Sequence, residues 1–200
     1  TNPLRTKTTT TYYDDGHNSL RYSGHSFRTR KVGDNALYVA SVKQVARLSH
    51  SLSLWYEDEV YITEKLIENF HDIEWNCEVS KQALEGLKSL EKRFETKVSR
   101  ESRIIKWKDV IFDVSFDTFR YFGANGVKLT DKLYEIEVEY VKGAQTLSEI
   151  FTKMYAICDT IEKVNKDSKQ FKPLLVSKAE RGYKVLDLYK EHQTKYGILV

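Results

Sequence analysis

Between Asp34 and Glu85 the chain holds neither glycine nor proline. Nothing in that run forces the backbone to stop, so the spacing of its apolar residues decides what it builds. Val42, Val45, Leu48, Leu52, Trp55, Leu66, Phe70, Ile73 and Cys77 recur at helical intervals. The spacing predicts an amphipathic helix of about 40 residues, roughly 60 Å long if unbroken. Asp34 or Asn35 would cap it, and Ser49, Ser51 and Ser53 mark the place where it would bend.

The same spacing resumes at Leu84, Leu87, Leu90 and Phe94, then thins through residues 95–103. Residues 104–122 obey two periods at once. Phe112, Val114 and Phe116 alternate as a strand would, while Ile104, Trp107, Ile111, Phe119 and Phe122 keep helical spacing. The segment exceeds an ordinary strand in length and its flanks read as helical, so a helix is expected. Gly123-Ala124-Asn125-Gly126 is the clearest turn. After it Thr130 would cap a further helix through Leu133, Ile136, Tyr140, Leu147, Ile150, Met154, Cys158, Ile161 and Val164, with Gly143-Ala144 marking a close approach. Pro173 would start a last helix bearing Leu175, Ala179, Leu186 and Tyr189.

Two hundred residues suit one domain. With only nine glycines and two prolines, and 30% charged residues, the composition favours long helices. The expected fold class is all-α: an elongated antiparallel bundle of three to four long helices, like a BAR domain or a coiled coil. It would occupy residues 35–200. Residues 1–34 read as a flexible basic arm rich in Ser and Thr, with six Lys or Arg against three acids. Phosphorylation at Ser23, Ser26 or Thr29 would weaken its attraction to anions.

Beyond residue 34 the charge is neutral overall and segmented. Residues 57–79 carry eight acids and one base, and residues 80–108 nine bases and four acids. Residues 131–162 carry seven acids and three bases, and 163–200 nine bases and four acids. Alternating blocks would set helix pairing or expose a basic surface to an anionic partner.

A search for chemistry finds no phosphate loop, no dinucleotide fingerprint, no His-Glu-x-x-His and no Cys-x-x-Cys. His17, His25, His50, His71 and His192 are scattered. Glu57, Asp58 and Glu59 would face different directions on a helix and so would not hold a metal together. No enzyme, cofactor or metal is expected. Cys77 and Cys158 read as small buried hydrophobes in a reducing, cytoplasmic setting, and no apolar run is long enough to span a bilayer.

In length, helix count and charge distribution, residues 36–196 resemble the BAR-domain superfamily. The resemblance implies a homodimer that binds anionic phospholipid, peripheral on a membrane, in trafficking or membrane organisation. The basic side chains facing the lipid would be Lys88, Lys92, Arg93, Lys97, Arg100, Arg103, Lys106 and Lys108, joined by Arg28, Arg30 and Lys31 from the arm. The alternative is a helical protein-interaction scaffold without lipid binding. Nucleic acid is set aside as a partner because the chain beyond the arm is neutral.

Overall fold

The structure, a computed structural model, describes residues 3–31, 37–47, 53–143, 146–165, 174 and 176–196; for residues 45–47, 53, 54, 165, 195 and 196 it describes the backbone alone. It corrects the fold class. In chain order the elements are β1 (Leu4–Asp14), α1 (Ser19–Tyr22), β2 (His25–Lys31), β3 (Leu37–Arg47), β4 (Ser53–Thr63), α2 (Glu64–Glu68), a 3-10 turn (Phe70–Asp72), α3 (Glu78–Glu85), β5 (Glu91–Trp107), β6 (Val110–Gly123), β7 (Leu133–Lys142), α4 (Leu147–Asn165) and α5 (Lys178–Tyr196). The strands form one seven-stranded sheet in the order β4-β3-β2-β1-β5-β6-β7. Neither a helical bundle nor a coiled coil is present among the described residues, and the BAR-like resemblance fails with it.

The strands form where β-branched and aromatic residues are dense, because such side chains pack well on a pleated surface. The stretch from Thr8 to Tyr13, read as part of a flexible arm, lies in β1, and Phe27 in β2 is wholly buried. Most of the stretch read as one long helix is β3, β4 and the short elements after them. The segment with two periods is strand: β6 pairs with β7 antiparallel, setting Phe112 against Tyr140, Val114 against Val138 and Phe116 against Ile136. Gly123–Gly126 does turn the chain, with Gly126 at φ 83°. The helix expected from Thr130 is a strand to Lys142 and a helix from Leu147. A terminal helix does exist, and Leu186 is buried on it. Asp34, Asn35, Leu48, Ser49, Leu52, Pro173 and Leu175 lie outside the described residues.

The chain divides into two compact units. The first comprises Thr1–Lys7, Val98–Phe119 and Lys132–Pro173. Its core is one face of β6 and β7 covered by α4, with Val110, Phe112, Val114 and Ile157 buried and Met154 and Ile161 packed on them. Gly143 in this unit stands at φ 101°, and a Cβ there would lie 1.8 Å from the Asp109 carbonyl oxygen, so only glycine fits.

The second unit comprises Thr8–Lys97, Arg120–Asp131 and Leu174–Val200. Antiparallel pairing sets Phe27 opposite Val42, Thr29 opposite Ala40, and Tyr38 opposite Ile62. This face packs on Leu20, Phe70, Ile73, Trp75, Leu84 and Leu87. Each large side chain so buried contributes about 1.5–3 kcal/mol. The opposite face carries Tyr12, stacked on Phe94 with ring centres 4.7 Å apart, and Phe94 also meets Tyr183 of α5 edge to face at 5.2 Å. Gly182 permits that approach, since a Cβ would lie 2.2 Å from the Phe94 ring. Asp14, wholly buried, ties the unit together. It accepts the Leu20 and Arg21 backbone N–H groups at 2.9 and 3.0 Å and the Tyr183 hydroxyl at 2.8 Å. Burial first, and then the Asp14 charge, push the Tyr183 hydroxyl pKa far up, so it donates at every ordinary pH.

Candidate functional site

Residues two apart on a strand share a face, and residues paired across strands share it too. Arg28 and Arg30 are two apart on β2. Ser26 pairs with Lys43 and Arg28 with Ser41, and on the next strand Lys43 pairs with Glu57 and Ser41 with Glu59. One face of the second unit therefore carries Arg28, Arg30, Ser41, Lys43, Glu57 and Glu59, opposite in side to Phe27 and Val42.

These charges interlock. Arg28 Nη2 reaches Glu57 at 2.7 Å and Glu59 at 3.8 Å, Arg30 Nη2 reaches Glu59 at 3.0 Å, and Lys43 Nζ reaches Glu57 at 2.6 Å. The Ser41 hydroxyl donates to Glu59 at 2.9 Å. Burial alone would raise the Glu57 pKa, but Lys43 and Arg28 outweigh it and hold the carboxylate below its usual range. Burial would likewise lower the Arg28 pKa, and Tyr12, Glu57 and Glu59 outweigh it, so Arg28 stays charged. Three cations face two carboxylates, which leaves one positive charge in excess. Two donors here are buried without a hydrogen-bond partner: Arg28 Nε and the hydroxyl of Thr96, which follows Phe94 on the same face of β5. A buried donor left unmet costs about 1–3 kcal/mol, and an acceptor brought by a ligand would relieve it.

The first unit holds a cluster of the opposite sign. On β6 and β7, Asp117 pairs with Glu135 and Ser115 with Glu137, so the three carboxylates share a face. One oxygen of each lies within 4.8 Å of the others. Arg100 of β5 donates from Nε and Nη2 to the two Asp117 oxygens, each at 2.7 Å, and pairs with Glu137 as well. The hydrogen bonds that Arg100 donates to Asp117, against an opposing contribution from burial, raise the Arg100 pKa far above its ordinary value. Asp117 is wholly buried as a side chain. A carboxylate offers about four lone-pair sites, so Asp117 can keep Arg100 and still bind a cation. The all-oxygen set suits Mg²⁺ or Mn²⁺ rather than a thiophilic metal.

The predicted membrane-facing residues do not form one helical face. Arg28 and Arg30 stand in the charged row just described, and Lys31 is exposed at the end of β2. Lys88 lies in the loop before β5. Lys92 pairs with Glu95 at 2.8 Å, Arg93 with Glu91 at 3.3 Å, and Arg103 with Glu101 at 3.8 Å. Lys97 Nζ lies 4.7 Å from the centre of the Phe122 ring. Lys106 is exposed near the end of β5, and Lys108 stands in the turn after it at φ 54°. Strand alternation turns Arg100 and Lys106 to one side of β5 and Lys97 and Arg103 to the other. Among the described residues no helix is long and apolar enough to cross a membrane.

Sequence reasoning missed Lys43, Thr96, Asp117, Glu135 and Glu137, and it dismissed Glu57 and Glu59. The signal was a spacing of two: Arg28-x-Arg30, Glu57-x-Glu59 and Glu135-x-Glu137. Each reads as one face only when the segment is taken as strand.

No family model and no curated protein matches the chain. Solved structures do. The chain is similar to HpAC1 from Hippeastrum, described as a candidate adenylyl cyclase with a dominant triphosphatase activity. The match is 17% identical, covers 92% of this chain and 84% of that one, and has a TM-score of 0.55. It is similar to a candidate adenylate cyclase from Bacillus halodurans, at 17% identity, 88% and 82% coverage and a TM-score of 0.51. It is also similar to the PH1819 protein from Pyrococcus horikoshii OT3, at 14% identity, 91% and 86% coverage and a TM-score of 0.50. At this identity the likeness is one of fold alone. It overturns the expected helical membrane module and, with it, the expectation that the chain is no enzyme.

Proposed function

We propose that the chain is a phosphohydrolase acting on a triphosphate, inorganic or carried by a nucleoside. The observation that carries this reading is the row of Arg28, Arg30 and Lys43 on one face of the sheet, with Arg28 Nε and the Thr96 hydroxyl buried and unpartnered. A triphosphate chain presents non-bridging oxygens, several of them charged, in a line. Alternate residues on neighbouring strands present donors in a matching line. Glu57 and Glu59 keep the three cations extended before substrate arrives, so less side-chain freedom is lost on binding. Arginine suits the task because its planar fork meets two phosphate oxygens at once. The likeness in fold to proteins described as adenylyl cyclase and triphosphatase supports the same reading.

In the other unit Asp117, Glu135 and Glu137 would hold a divalent cation, with Arg100 fixing the orientation of Asp117. Such an ion, when bound, would neutralise the carboxylates that hold it. In the reaction water adds to the terminal phosphorus, the bond to the bridging oxygen breaks, and orthophosphate leaves with a diphosphate. The residues of the charged row bind the oxygens on which negative charge is concentrated.

The test is phosphate release from tripolyphosphate and from ATP with Mg²⁺ or Mn²⁺, with the nucleotide products separated. Wild type should release orthophosphate, and R28A and R30A should each lose at least about 100-fold in kcat/KM, the scale for removing one such contact. Conversion of ATP to a cyclic nucleotide without orthophosphate would replace the hydrolase reading with a cyclase one.

A further inference from the structure

The other face of β6 in the first unit carries a feature the proposed hydrolysis does not use. Phe112, Val114 and Phe116 form one apolar row. Phe112 and Val114 lie in the core that α4 covers, at 0% and 5% exposure, whereas Phe116 stands 48% exposed. It lies in a depression of about 670 Å³ whose lining includes Arg5, Ser99, Glu101, Arg103 and Thr118. Arg100 contributes to the lining too, but its guanidinium is engaged with Asp117 and Glu137. Arg5 and Arg103 share one acid, Glu101, at 3.1 and 3.8 Å, and their side chains are 78% and 58% exposed. Lys7, two residues along β1 from Arg5, is exposed on the same side by strand alternation. Trp107, four residues along β5 from Arg103, shares that strand's face by the same rule and is 38% exposed.

We infer that this face is a docking site for single-stranded nucleic acid, with a base stacked on Phe116, a second on Trp107, and backbone phosphates paired with Arg5, Lys7 and Arg103. Three cations against one acid fit a chain of single negative charges. Two separate exposed rings on a face that also carries three cations are what a strand of unpaired bases needs. The neutrality of the chain beyond residue 34 is no objection, because it is a sum over acidic and basic blocks, and this surface is locally basic.

The experiment is fluorescence anisotropy of a labelled twelve-nucleotide RNA ending in a 5′-hydroxyl, at low and moderate salt. That probe has no triphosphate, so its binding is independent of hydrolysis, and loss of either property leaves the other testable. Wild type should bind more weakly as salt rises. F116A and W107A should each weaken binding about tenfold, on the scale of one base stack, and F116Y should bind like wild type. R5E/R103E should abolish binding, while K88E should leave it unchanged. Circular dichroism shows that each variant is folded, and F116L, which keeps apolar bulk and loses the ring, should behave as F116A. The inference is overturned if wild type does not bind. It is equally overturned if R5E/R103E weakens binding while F116A, F116L and W107A do not, for that is generic attraction of a polyanion.

Discussion

Replacing Arg100 by methionine should destabilise the protein by about 3–5 kcal/mol. The figure follows from its surroundings. Arg100 donates twice to Asp117, whose side chain is wholly buried, and pairs with Glu137, whose side chain is 25% exposed. Methionine keeps most of the aliphatic stem and removes the charge. A buried carboxylate then loses its counter-ion, a change that costs about 3–5 kcal/mol in comparable pairs. Converting Asp117 to asparagine in the same chain removes the stranded charge, so R100M/D117N should recover at least about 2 kcal/mol of the loss. The assay is urea denaturation followed by circular dichroism, on wild type, both single variants and the double. For a chain of this size each kcal/mol also moves Tm by roughly 2–4 °C. Addition of Mg²⁺ should stabilise R100M more than wild type, because an ion would replace the lost cation beside the three carboxylates. If R100M lies within about 0.5 kcal/mol of wild type, or if the double variant is no more stable than R100M, the cluster does not depend on its arginine and the reasoning fails.

Tyr183→Phe removes one donor from the buried Asp14 carboxylate and should cost about 1.5–3 kcal/mol in urea melts, the usual scale for a hydrogen bond to a charged group. Glu57 is held below its ordinary value of 4.5, so its contribution to stability is present above that pH and is lost as pH falls through the lower folded value. An acid titration followed by circular dichroism should therefore show a shallower fall for Glu57→Gln than for wild type. Gly143→Ala meets a carbonyl oxygen at 1.8 Å and an unfavourable φ, and thermal melts should show a loss of about 1–3 kcal/mol or more.

Several features were legible in the sequence and several were not, for reasons that particular residues make plain. The Gly123–Gly126 turn and the terminal helix could be read because glycine punctuation and a clean apolar spacing do not depend on tertiary context. The strands were harder. A segment such as 104–122 is so dense in apolar and aromatic residues that both periods are satisfied. Length points to helix there, yet β5 has 17 residues and β6 has 14, far beyond the ordinary strand. The run Thr8–Tyr13 has little aliphatic content, and that hid a strand built from β-branched threonines and tyrosines.

The site was lost with the fold. Glu57 and Glu59 point apart on a helix and together on a strand. Asp117 and Glu135 are distant in the sequence and become neighbours only through the β6–β7 register. The sheet also reads the basic blocks differently. Arg28 and Arg30, assigned to a flexible arm, are two of the three cations in a fixed row, whereas Lys88 and Lys106 lie outside it.

The most direct test of the central claim is a ³¹P NMR time course of tripolyphosphate with the protein and Mg²⁺, wild type beside R28A/R30A. The account predicts that the wild-type spectrum loses its terminal and central triphosphate resonances as orthophosphate and pyrophosphate grow in, and that the double variant leaves the spectrum unchanged. A wild-type spectrum that stays unchanged over many enzyme equivalents, or a double variant that cleaves as fast as wild type, would contradict it.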